Sequence, residues 1–160
     1  MERSDWLAAV VVILVAVLLL GSGPLAGGLL QPSGTPTTLG EGDVEVGAVD
    51  VSTAEFVLTP GRFGTAVTYL RIPDAAVELA SVTDRPRLVY RVQVPALGVD
   101  RSANMIVTDR GQHRLHLRAQ ALEPGTVEED EYTGTVRVRV QSFSTDRTLY
   151  RQNVTVEVKR

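Results

Sequence analysis

The chain has 160 residues, of which 44% are hydrophobic, 22% charged and none cysteine; this supplies one domain of ordinary size and little beyond it. Sixteen Lys and Arg against 19 Asp and Glu leave a net charge of −3, which argues against a nucleic-acid binder, whose footprint is a basic excess. The missing cysteines exclude disulfide scaffolds, thiolate zinc sites, iron–sulfur ligation and cysteine nucleophiles together.

Charge is distributed unevenly, because none falls between Asp5 and Glu41. After a five-residue start (1–5), Trp6 to Leu20 is apolar on every side and has neither helical nor strand periodicity, so lipid is its natural solvent. Fifteen helical residues cover only about 22 Å of a hydrocarbon core roughly 30 Å thick. Continuing through Gly21–Pro24 to about Leu30 completes a transmembrane helix over 6–30, in contact with the bilayer. A cleavable signal peptide competes, with Arg3 ahead of the apolar stretch and small residues at Ala26 and Gly28. Span length and the lack of a clean A-x-A site favour the retained anchor. Arg3 on one side, with no Lys or Arg within twenty residues on the other, places the N-terminus in the cytoplasm and the C-terminal region outside.

Residues 31–42 (QPSGTPTTLGEG) are too poor in apolar groups to offset the entropy of ordering and read as a flexible tether reaching up to roughly 35 Å. From residue 43 to 160 the hydrophobic period becomes two. The clearest strand is Gln112 to Ala121, with His113, Leu115, Leu117, Ala119 and Ala121 on one face and Arg114, His116 and Arg118 on the other. Thr135 to Gln141, the end of the chain around Val154, Val156 and Val158, and Arg87 to Val94 repeat the scheme. Weaker alternation predicts strands at Val44–Val51, Glu55–Leu58, Ala66–Ile72, Val77–Val82 and Asn104–Thr108. Turn residues at Pro60-Gly61, Pro73-Asp74, Asp84 to Pro86, Pro95 to Gly98 and Asp109 to Gly111 separate them. Seven to nine one-sided strands predict an all-β domain, two antiparallel sheets packed as a sandwich, with a small closed barrel as the alternative.

The stretch LEPGTVEEDEYTGTVRVRV (Leu122 to Val140) resembles the E–F corner and F strand of immunoglobulin-like and fibronectin-type sandwiches. That resemblance implies that the Tyr132 hydroxyl ties the corner to upstream backbone. The layout as a whole is similar to membrane-anchored, single-span surface proteins of halophilic archaea, many without assigned function. Its elements are a short start, LLLGSGPLAGGLL, a Thr/Pro spacer and a sandwich ending in NVTVEV. Archaellum stator components combine an anchor with a similar sandwich, which gives a further role by analogy.

Motifs for chemistry are sparse. His113 and His116 fall on opposite faces of one predicted strand and cannot jointly grip a metal. No G-x-S-x-G, H-E-x-x-H or G-x-x-x-x-G-K motif occurs. Glu128 to Glu131 lacks the spacing that wraps calcium and reads as a solvated loop. Outward arginines at Arg87, Arg91, Arg114, Arg118, Arg137 and Arg139, with His116, form a candidate anion-binding face for acidic glycans, lipid headgroups or a partner's carboxylates. Its competitor is a face neutralised by cross-strand acids. Asn153-Val154-Thr155 is an N-glycosylation acceptor with Asn153 outward.

The expectation is a single-pass protein with its sandwich outside the cell, serving as a structural, adhesion or protein-interaction module of the envelope. No catalytic residue, metal or cofactor is expected, and an envelope protein or glycan, not nucleic acid, is the expected partner. The alternatives are a secreted glycan-binding domain released by cleavage and an enzyme whose site is borne on loops.

Overall fold

The computed structural model describes residues 41–62 and 66–159. The described residues all belong to one compact unit, Thr38–Arg160. The expected start, the anchor over 6–30 and most of the tether lie outside the described residues. Among the described residues no helix is long and apolar enough to cross a membrane.

This unit is all-β. Its strands are β1 (Val44–Val51), β2 (Val57–Pro60), β3 (Thr68–Arg71), β4 (Ala75–Val82), β5 (Arg87–Val94), β6 (Val99–Ile106), β7 (Gly111–Leu115), β8 (Gln120–Leu122), β9 (Glu131–Gln141) and β10 (Asp146–Val158). Three form a sheet in the order β1-β4-β7, and seven form a second in the order β6-β5-β9-β10-β2-β3-β8. The inward faces of both contribute to one apolar core, including Ala75, Val77, Leu79 and Leu115 from the smaller sheet and Leu88, Tyr90, Val92, Val136 and Val138 from the larger.

Period two is cleanest where both neighbours are long. In β5, Leu88, Tyr90, Val92 and Val94 are buried while the intervening residues are half-buried; β9 buries Tyr132, Gly134, Val136, Val138 and Val140 in the same way. Gly134 on this inward row has no room for a side chain. A Cβ there would lie 2.8 Å from the Gln93 carbonyl oxygen, closer than side-chain carbons approach.

Several expectations need correction. Among the described residues ten strands form rather than seven to nine, and β2 runs parallel to β10 through Val57 and Leu58, so the larger sheet is mixed rather than wholly antiparallel. The Glu55–Leu58 strand begins two residues later, because Thr53–Glu55 closes a 3-10 turn with Glu55 N–H bonded to the Ser52 carbonyl. The Asn104–Thr108 strand starts at Val99, since Gly98 takes a left-handed φ of +64° and ends the Pro95–Leu97 turn at once. Within β1 the more buried parity passes from Val44 and Val46 to Val49 and Val51, across two irregularities in the pairing with β4, one between Glu45 and Val46 and one at Gly47.

The largest correction concerns Gln112–Ala121, which is not one strand. Gly111–Leu115 pairs with β4 in the smaller sheet, and Gln120–Leu122 pairs with β3 in the larger. The partner chain segment makes the same move, β3 and β4 being joined by Ile72, Pro73 and Asp74. One register nevertheless runs through both, since Leu70 pairs with Gln120 and Ala75 with Leu115. A two-stranded ribbon therefore changes sheets, and Pro73, which has no N–H, stands where the ladder is interrupted. Facing sheets see the core from opposite sides, so each strand exchanges its buried parity: Leu70 and Ile72 on one side of the break, Pro73, Ala75 and Val77 on the other. On the partner strand Leu115 and Leu117 are buried, whereas Ala119 and Ala121, expected inward, are exposed and Leu122 is buried instead.

Candidate functional site

The crossover ribbon forms one wall of a cleft of about 460 Å³, lined among others by Asp50, Ser52, Arg71, Asp74, Arg114 and His116. Asp74 and His116 face each other where the interrupted register brings them opposite, with the His116 Nδ1 2.7 Å from Asp74 Oδ1. Arg114 reaches the other oxygen of Asp74 at 4.0 Å. Beneath them the buried Tyr90 hydroxyl donates to the Pro73 carbonyl at 2.9 Å. Burial, aided by the charge of Asp74 and by Tyr150, raises the Tyr90 phenol far above its ordinary value, so it acts as a permanent donor. Ser52 stands on the cleft wall, but its hydroxyl makes no hydrogen bond to His116 among the described residues. The cleft thus holds an imidazole oriented by Asp74.

The seven residues of the predicted anion-binding face occupy separate places. Arg87, Arg91, Arg137 and Arg139 adjoin on the outer face of the larger sheet, through β5 and β9. Arg114 belongs to β7 of the smaller sheet, and His116 and Arg118 to the crossover, so these three do not extend that row. His113, expected on the face opposite His116, is half-buried on β7 with its Nε2 2.8 Å from the Asp109 carbonyl. Among the described residues no group of three His, Cys, Asp or Glu is arranged to hold a metal ion.

On the outer face the register places Arg91 directly opposite Arg137, and Arg137 directly opposite Arg151. Arg151 escaped notice in the sequence, although carrying the outward parity of Asn153 back two residues would have found it. Two members of this neighbourhood are neutralised. Arg91 grips both carboxylate oxygens of Asp100, and Arg139 both of Asp146. These hydrogen bonds, outweighing slight desolvation, hold both aspartates below the ordinary carboxylate value. Arg87 donates to Gln141 Oε1 at 2.8 Å. Among the described residues, no ion pair is formed by Arg137 or Arg151.

Tyr132 begins β9 buried, and its hydroxyl accepts the backbone N–H groups of Glu128 and Glu129 at 2.7 and 2.9 Å. The acidic run is thereby looped over the phenol. Asn153 is exposed on the outer face opposite Thr135, one row from Arg151.

At the opposite end of β9 the Arg147 guanidinium donates to the Val44 carbonyl at 2.7 Å and to Asp43 Oδ1 at 3.0 Å, joining β10 to the start of β1. Desolvation raises Asp43, but the Val44 N–H and Arg147 outweigh it and leave the carboxyl below its ordinary value. No family model, curated protein or solved structure matches the chain.

Proposed function

We propose that the chain is a membrane-anchored protein that displays an immunoglobulin-like domain outside the cell as a structural, adhesion or protein-interaction module of the envelope. The observation that carries this is the uncharged opening, with fifteen apolar residues from Trp6 to Leu20 and no charge until Glu41, ahead of an all-β unit. The immunoglobulin-like assignment is supported by the topology. A β1-β4-β7 sheet opposes one containing β6-β5-β9-β10, and a tyrosine at the start of β9 anchors the preceding loop. The reading as a binding module is supported by the polar outer face, which is broad and regular and carries the arginine row.

The resemblance to archaeal surface proteins adds the envelope as the setting. The test is fractionation of the native source followed by alkaline carbonate extraction. The full-length chain is expected to remain with the membranes; recovery of a shortened chain starting near residues 27–34 in the medium favours the secreted binding domain, and full-length chain in the soluble cell fraction overturns both.

A further inference from the structure

We propose that the outer face of the larger sheet binds acidic polysaccharide, held by the guanidinium groups of Arg137 and Arg151 with Arg91 at the end of the row. The biological occupant rests on display outside the cell as proposed above; the binding chemistry does not.

Three arginines directly opposite one another on adjacent strands repel, and like charges in that position destabilise a sheet. Neighbouring positions show that the face can neutralise such groups, since Arg91 and Arg139 each hold an aspartate. Arg137 and Arg151 have no such acid, so two planar forks with their donors uncommitted lie on strands about 4.8 Å apart. A fork of this kind pairs a carboxylate or sulfate in bidentate fashion, and two in register suit an anion repeated along a chain.

The surroundings select the class of polyanion. Ser102, Asn104, Thr135, Thr148 and Asn153 flank the row with hydroxyl and amide groups that hydrogen-bond sugar hydroxyls. The two exposed large hydrophobic residues among those described are Tyr69, on β3, and Phe143, in the turn joining β9 to β10, so neither occupies a position on the paired strands beside Arg137 and Arg151. A protein partner would be met by an apolar or aromatic centre and a single-stranded nucleic acid by stacking rings, and the outward positions Thr135, Arg137, Arg139, Arg151 and Asn153 offer neither.

The full chain, produced without glycosylation and held in neutral-lipid nanodiscs, is passed over immobilised heparin, polygalacturonate, dextran and polyglutamate. Binding is expected to heparin and polygalacturonate, weakening with salt, and not to dextran. Arg137→Gln with Arg151→Gln is expected to weaken it about tenfold or more, with a melting temperature no lower than the parent's. The Arg137→Lys, Arg151→Lys chain keeps the charge but loses the fork and falls between. Arg114→Gln with Arg118→Gln leaves binding unchanged. Unaltered binding by the Gln pair, equal loss from the Arg114 and Arg118 pair, or polyglutamate bound as tightly as polygalacturonate each overturns the proposal. A chain displayed outside that binds neither polysaccharide overturns this inference alone; one that binds both but is found inside the cell overturns only the display.

Discussion

In β9, one buried parity holds for eleven residues from Glu131 to Gln141, whereas between Gly111 and Leu122, a segment of nearly equal length and equally regular alternation, it reverses midway. The difference lies in what each segment pairs with. β9 pairs with β10 along its whole length and with β5 from Thr135 to Gln141, all in one sheet, so its inward residues meet the same core. The Gly111–Leu122 segment is paired with a strand interrupted at Pro73 and follows it from one sheet to the other. Alternation thus reports which residues share a face over a few positions, but a partner elsewhere in the chain decides how long that face remains inward.

Truncating the cores of the two regions gives the largest effect. Leu88→Ala empties a fully buried position beside β9 and is expected to cost about 2–5 kcal/mol. Leu117→Ala, on the rim of the cleft where surroundings can relax, falls at or below the lower end of that range. Urea unfolding of both measures the contrast, and equal losses would break it. Tyr90→Phe comes next at about 1–3 kcal/mol, since it leaves the Pro73 carbonyl without its donor while conserving volume.

A double-mutant cycle on Asp74 and His116 sharpens the comparison further. The pair sits at the bend but is solvent-exposed, so its coupling is expected at about 0–1 kcal/mol; a larger value would make it the clasp that sets the crossover. The smallest effect is acid sensitivity. Asp43, Asp100 and Asp146 bind protons less tightly folded than unfolded, so their contribution is present above the unfolded carboxylate value near 3.9 and is lost as pH falls below it. Melting temperature should decline over that interval, and less so when all three are Asn.

Legibility in the sequence follows the same division. The bounds of β5 are readable to the residue because apolar residues alternate between turn signals, and those of β1 are equally readable although its parity shifts at Gly47. Tyr132 could be singled out because a Pro-Gly loop precedes it and valines follow. The outer-face row could be read only in part. Arg91, Arg137 and Arg139 stand at outward parity, but their adjacency depends on the β5-β9-β10 order, which no local pattern encodes. From the sequence Asp74 reads only as a turn residue. Its role as the partner of His116 comes from a register that spans 42 residues.

The cysteine-free sequence permits the most direct test of display across a membrane. A single cysteine is placed either at Ser4, ahead of the apolar run, or at the exposed Ser144 in the β9–β10 hairpin, and intact cells are treated with a membrane-impermeant maleimide. The account predicts labelling of Ser144→Cys in intact cells and of Ser4→Cys only after lysis. Labelling of Ser4→Cys alone in intact cells, or of neither before lysis, would contradict it.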